Sequence, residues 1–293
     1  MGLTPLSQHA ASAWTQVWNA VIIRSGDSGP SFFRDQTSHR PMSLTIGNCF
    51  MIRVEGYEKT YRDTVAVRGL SFQVPAGAIV GLVGPNGAGK TTTLRALAGI
   101  IPPTRGRLTV AGHDIVSDPI AAKSRLAFIP DEPQLFDVLT VWEHLEFTAS
   151  VYQIPEFEAA AEQLLTQFEL IERRNTIAQE LSRGMRQKVA ICCAYLHQPT
   201  AILFDEPLTG LDPRAIRTLK ESIRQRAAAG AAVMVSSHLL DLIEDLCTHL
   251  LLMHRGQCLF QGTLAEAKNR LAEHGGSDSS LEDVFFQLTE HAS

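Results

Sequence analysis

No run of apolar residues in this chain approaches the roughly 18 to 20 that a helix needs to cross a bilayer. The longest stretches, such as Ala231-Ala232-Val233-Met234-Val235, are far shorter, so no membrane-spanning helix is expected. A basic tract is also missing: 26 Lys and Arg against 31 Asp and Glu leave a formal charge of −5, which gives no bulk electrostatic reason to bind nucleic acid or an anionic membrane surface. Disulfide spacing is absent as well. Five cysteines (Cys49, Cys192, Cys193, Cys247 and Cys258) form an odd set without C-x-x-C, which suits a reduced cytosolic protein with its thiols as small buried apolar side chains. Ala11 to Ile23 fits a short amphipathic helix but has neither the basic start nor the small-residue cleavage site of a secretory signal. No internal repeat is visible, so one nucleotide-type domain is expected and not two.

What is present begins near Met51. Residues 1–50 lack sustained periodicity and carry the Ser/Gly/Pro-rich patch Ser25–Ser31, which predicts a disordered or weakly ordered extension. A start at Met42 or Met51 would still encode the whole predicted domain, 51–293. From Met51 to about Leu126 the pattern is strand-rich, with turns at Pro75-Ala76-Gly77, Pro103–Gly106 and Ala111–Asp114. A helical block follows over about 138–198: Thr140-Val141-Trp142-Glu143 is a capping box, and Glu158 to Leu170 sets Ala161, Leu164, Leu165 and Phe168 on one face. Strand and helix then alternate as Ala201–Phe204, Pro213–Ala229, Ala232–Val235 and Leu239–Leu246, before a helical tail over about 263–293. Alternation of this kind predicts an α/β fold on a parallel sheet, interrupted by the helical insert.

Gly84-Pro85-Asn86-Gly87-Ala88-Gly89-Lys90-Thr91-Thr92 fills every obligatory position of G-x-x-x-x-G-K-[ST]. The apolar run Ala78–Val83 before it reads as a buried strand, and Thr91 to Gly99 after it as a helix with a glycine stop. Successive backbone N–H groups of such a loop face phosphates at a helix N-terminus that already favours anions. Lys90 should meet the β- and γ-phosphates of a nucleoside triphosphate, and the Thr91 hydroxyl should bind Mg²⁺. Further on, Ala201-Ile202-Leu203-Phe204-Asp205-Glu206-Pro207 is an apolar strand ending in two carboxylates, at the end of a parallel strand where ligands bind. Asp205 is expected to hold Mg²⁺ through a water, and Glu206 to accept a proton from the attacking water.

From about Met51 onward the chain resembles the ATP-binding cassette (ABC) ATPases. Leu181-Ser182-Arg183-Gly184-Met185-Arg186-Gln187 is similar to that family's L-S-G-G-Q signature, Leu208–Asp212 to its D-loop, and His238 to its switch histidine. Tyr61 lies at about the distance of the adenine-stacking aromatic. The resemblance implies a P-loop NTPase of ABC type, with a mixed sheet core, an antiparallel β-subdomain and a helical signature subdomain. It also implies ATP and Mg²⁺ as ligands and catalytic roles for Lys90, Glu206 and His238. Nucleotide contacts are implied for Tyr61, for Gly84, Pro85, Asn86, Gly87, Ala88, Gly89, Lys90, Thr91 and Thr92, and for Ser182, Gly184 and Asp212. Ser182 and Gly184 open a helix able to bind a γ-phosphate, but the insert holds them away from their own phosphate loop. A second copy or a paralogous subunit is therefore expected, the two chains sandwiching two ATPs about a twofold axis.

Three positions, in two motifs, depart from the family pattern. Arg183 stands at the signature's first glycine and Met185 at its glutamine, a variant resembling the ATPase subunits of two-component drug and antibiotic exporters. Asp131, within Phe128–Pro133, stands where the family has the Q-loop glutamine. It is expected either to reach Mg²⁺ through a water or to cap the turn before Pro133 and face solvent. Ser280–Phe285 also resembles the ends of exporter ATPases. The expected function is the motor of a membrane exporter, peripheral on the inner face of the cell membrane through a separate transmembrane permease, with no nucleic-acid partner. A soluble scaffold ATPase, as in iron–sulfur cluster assembly, is the alternative.

Overall fold

The computed structural model describes residues 50–238 and 240–272. The expected N-terminal extension, Cys49 and the end of the tail with Ser280–Phe285 lie outside the described residues. Two sheets organise the rest. β1 (Phe50–Tyr61), β2 (Thr64–Pro75), β4 (Arg105–Val110) and β5 (His113–Asp114) form an antiparallel sheet in the order β2-β1-β4-β5. β3 (Ile79–Val83), β6 (Leu126–Ile129), β7 (Ala201–Asp205), β8 (Ala232–Ser237), β9 (His249–His254) and β10 (Gln257–Thr263) form a six-stranded sheet in the order β10-β9-β3-β8-β7-β6. β9, β3, β8, β7 and β6 run parallel, and β10 is an antiparallel edge.

Each sheet follows from its sequence pattern. β1 alternates, burying Ile52 and Val54, then shifts register between Val54 and Tyr57 so that Tyr57 also turns inward. β3, β7 and β8 are buried at every residue, as strands covered on both faces must be. The antiparallel sheet closes over α1 (Lys90–Leu97), whose Leu94 and Leu97 share a core with Ile52, Leu108 and Leu82. α2 is the short helix Pro119–Ser124.

The helical insert comprises α3 (Val141–Tyr152), α4 (Glu158–Gln167) and α5 (Arg183–Leu196). Its opening capping box is present: Thr140 N–H donates to Glu143 Oε2 at 2.8 Å, and Glu143 N–H to Thr140 Oγ1 at 3.1 Å. α4 buries Ala161, Leu164 and Leu165, with Phe168 buried just beyond its end. These residues belong to the same apolar cluster as Ile202, Phe204 and Leu219, so insert and sheet share one core. α6 (Pro213–Ala228), α7 (Leu240–Leu246) and α8 (Leu264–Ala272) complete the described chain. Cys192 and Cys247 are buried and Cys193 half-buried; desolvation pushes the thiols up, Cys193 to about 11 and Cys247 to about 12. Cys258 corrects the expectation of uniformly buried cysteines: it lies exposed on the edge strand β10.

This order of strands builds the site. β3 and β7 both neighbour β8, so the strand ends that carry the phosphate loop and the carboxylates are about 10 Å apart, two strand spacings, at the C-terminal edge of the sheet, a gap that the start of α1 bridges.

Candidate functional site

The loop Gly84–Thr92 is wedged between three other segments. A Cβ on Gly84 would collide with the Met253 carbonyl at the end of β9, and one on Gly89 would lie 2.8 Å from the Ala66 carbonyl of β2. Gly89 also holds a left-handed conformation, φ 101°, as the N-cap of α1. It contributes no side chain there, so the first-turn N–H groups of α1 point at the loop without a side-chain cap. The β9–β10 turn braces the loop from outside: Gly256 N–H donates to Ala88 O at 3.1 Å, and Arg68 N–H to Gly256 O at 2.8 Å. Lys90 is buried, with Nζ donating to Gly84 O at 2.6 Å and to Pro85 O at 3.3 Å. Burial lowers its pKa, against the opposing pull of Glu206 and Asp205. A desolvated ammonium held by two loop carbonyls is suited to a phosphate.

Across the edge, Asp205 Oδ1 accepts from Thr91 Oγ1 at 3.1 Å and from Ser236 Oγ at 2.6 Å. The two expected metal ligands are therefore adjacent. Both offer oxygen, the donor type that a hard divalent cation selects, and Asp205 is buried beside the phosphate loop. Glu206 follows with φ 49°, a left-handed conformation that costs a non-glycine residue about 1–3 kcal/mol. Its N–H donates to Ser236, 3.2 Å from the carbonyl oxygen and 3.1 Å from Oγ, which holds the strained residue in place. Glu206 Oε2 then lies 2.9 Å from His238 Nδ1. Ser236 thus touches both carboxylate residues, and sequence reasoning did not single it out. The available signal was a pair of hydroxyls, Ser236-Ser237, ending an otherwise apolar strand; its meaning needs the pairing that sets Asp205 beside Ser236.

The remaining expected residues lie on other elements. Tyr61 ends β1 with its ring exposed and Lys59 Nζ 4.9 Å from the ring centroid. Ser182 caps α5, its Oγ accepting from Met185 N–H at 3.3 Å. Gly184 packs against the segment after β7, where an added Cβ would lie 2.9 Å from Gly210 O. Asp212 caps α6, accepting from Ala215 N–H at 2.9 Å and Arg214 N–H at 3.0 Å; the Ala215 bond leads in holding its carboxyl below the usual range. Asp131 makes a contact that neither expectation for it contained: its Oδ1 accepts from Arg183 Nη2 at 2.9 Å.

Residues 67–209 match the family model described as ABC transporter. The chain is 35% identical over 242 residues to the ABC-type transporter ATP-binding protein EcsA of Bacillus subtilis, covering 82% of this chain and 97% of that protein. It is 32% identical over 241 residues to the linearmycin resistance ATP-binding protein LnrL of the same organism, covering 82% of this chain and 75% of that protein. A solved structure described as the ATP binding subunit of an ABC transporter superposes with a TM-score of 0.77 at 33% identity, covering 82% of this chain and 99% of that one. The phosphate loop with its buried lysine, the paired carboxylates of β7 and these relatives agree: the chain belongs to the ABC transporter family, as an ATP-binding subunit that hydrolyses ATP.

Proposed function

We propose that this subunit works as a pair and drives a separate membrane permease, in the direction of export. The observation that carries the pairing is the split of the site. Thr91, Asp205, Glu206, Ser236 and His238 form one bonded group beside Lys90, whereas Ser182 and Gly184 open α5, a helix whose N-terminus binds no group of that set. An anion-binding helix end of this kind fits the γ-phosphate held by a second copy or a paralogous subunit. In that arrangement Gly84–Thr92 wraps the phosphates, Tyr61 stacks on the adenine, and Ser182, Gly184 and Asp212 come from the opposite chain.

Hydrolysis then needs little movement of the bonded group. Glu206 accepts the proton of the attacking water, and His238 Nδ1 fixes the carboxylate that does so. Lys90 trades the Gly84 and Pro85 carbonyls for phosphate oxygens. Thr91 and Asp205 would hold Mg²⁺, which supplies charge neutralisation across the phosphates.

Among the described residues no helix is long and apolar enough to cross a membrane. An apolar surface supports a permease contact. Phe128, Phe136, Phe147, Tyr152 and Ala194 line an apolar groove of about 410 Å³ between the end of β6 and helices α3 and α5. A cytoplasmic helix of the permease fits it, and would hold the subunit at the inner face of the membrane. The drug-resistance name of the LnrL relative supports export, and the transporter names of the relatives weigh against a soluble scaffold. Where a neighbouring gene encodes a polytopic membrane protein, co-expression with it tests this reading: the chain should fractionate with membranes, and Tyr152→Glu should release it. A chain that stays in the soluble fraction with that protein present contradicts it.

A further inference from the structure

Two of the three residues that break the family pattern, Arg183 and Asp131, are bonded to each other. Arg183 is the first residue of α5, where a cation opposes the helix dipole, and Asp131 brings an anion to that same end. The contact is not isolated. Gln187 lies one turn along the same face of α5, and its Nε2 donates to Pro130 O at 3.4 Å, so α5 grips two successive residues of the loop after β6. The stem of Arg183 also lies over Gly210, where an added Cβ would be 3.2 Å from Arg183 Cδ. One side chain therefore ties the N-terminus of α5 to the loop after β6 and to the loop after β7.

We propose that Asp131 and Arg183 form a clamp that positions the N-terminus of α5, so that Asp131 is a positioning residue for the shared nucleotide site and not a Mg²⁺ ligand. The two departures are one compensated change: an arginine at the helix start together with the carboxylate that orients it. This rests on the reading of a site shared between two chains. Asp131 and Arg183 are 43% and 48% exposed, so the clamp is worth about a two- to fivefold effect and is screened by salt.

The test uses the full chain carrying Glu206→Gln, with Asp131→Arg, Arg183→Asp and the swapped pair Asp131→Arg/Arg183→Asp. Hydrogen exchange over residues 130–139 is read without nucleotide, and dimerisation is titrated with ATP and Mg²⁺. Each single variant should exchange faster over that loop and need about two- to fivefold more ATP for half-maximal dimerisation; the swap should restore both. The Mg²⁺ concentration for half-maximal dimerisation should be the same in the swap as in the parent. Effects that add in the swap overturn the clamp. Rescue of exchange without rescue of dimerisation overturns the positioning role. A raised Mg²⁺ requirement that persists in the swap, which has no carboxylate at 131, makes Asp131 a metal ligand instead. If the Glu206→Gln parent never dimerises, the shared site fails and positioning with it, while exchange still decides whether the pair forms.

Discussion

The phosphate-loop side and the signature side of this molecule are built on opposite terms. On the first, Lys90 and Asp205 are buried, each polar group answers another, and a strained Glu206 is held by two bonds to Ser236. On the second, Ser182 and Arg183 are exposed, and the pair that orients the helix lies nearly half in solvent. The buried half is organised before anything binds. In the proposed pair the exposed half is finished by the partner. On that proposal a single chain carries the chemistry but half of the binding surface, which would link hydrolysis to association.

Variants can break this contrast on either side. Glu206→Gln should have the largest effect, slowing hydrolysis roughly 10²-fold or more in a turnover assay while nucleotide still binds, because the proposed proton acceptor is lost and the shape kept. Lys90→Ala should act on binding itself, raising the ATP dissociation constant about 10- to 100-fold by calorimetry, the scale of a charge-assisted hydrogen bond in a buried setting. Ser236→Ala removes one bond to Asp205 and one to Glu206, and should lower kcat about tenfold with a smaller change in KM. On the exposed side, Ser182→Ala removes the cap of α5 and should raise the ATP needed for dimerisation a fewfold, more than it changes nucleotide binding by the single chain.

The smallest effect concerns His197, stacked on Tyr152 at 3.9 Å and donating from Nε2 to Leu126 O at 3.2 Å. Burial lowers its pKa to about 4, from an ordinary 6.5. The unfolded chain therefore binds more protons between those values, and stability should fall as pH drops from 6.5 toward 4. With the solvent that still reaches the ring, the loss is about 1–2 kcal/mol. His197→Phe should flatten that acid limb in thermal melts; an unchanged limb assigns it to other groups.

How much was legible follows the same division. Features local in sequence were readable: the phosphate loop from its spacing, the Thr140–Glu143 box, and the buried face of α4 from its period. The strand ending in Asp205 and Glu206 was readable because a parallel strand presents its C-terminal end to ligands. Features set by tertiary register were not. Ser236 matters because β8 sets it beside Asp205, and Asp131 meets Arg183 across 52 positions of chain. β1 runs to Tyr61 although Gly56 breaks its alternation, since a register shift absorbs that residue. Cys258 is exposed because β10 is an edge strand, which periodicity alone does not reveal.

Whether two chains complete each other's site decides between a paired and a solitary subunit. Light scattering of the Glu206→Gln variant, with and without ATP and Mg²⁺, measures this without a membrane partner. The account predicts one chain of 32.1 kDa in the absence of nucleotide and twice that mass with it. A mass of one chain under both conditions, with ATP shown to be bound, would contradict it.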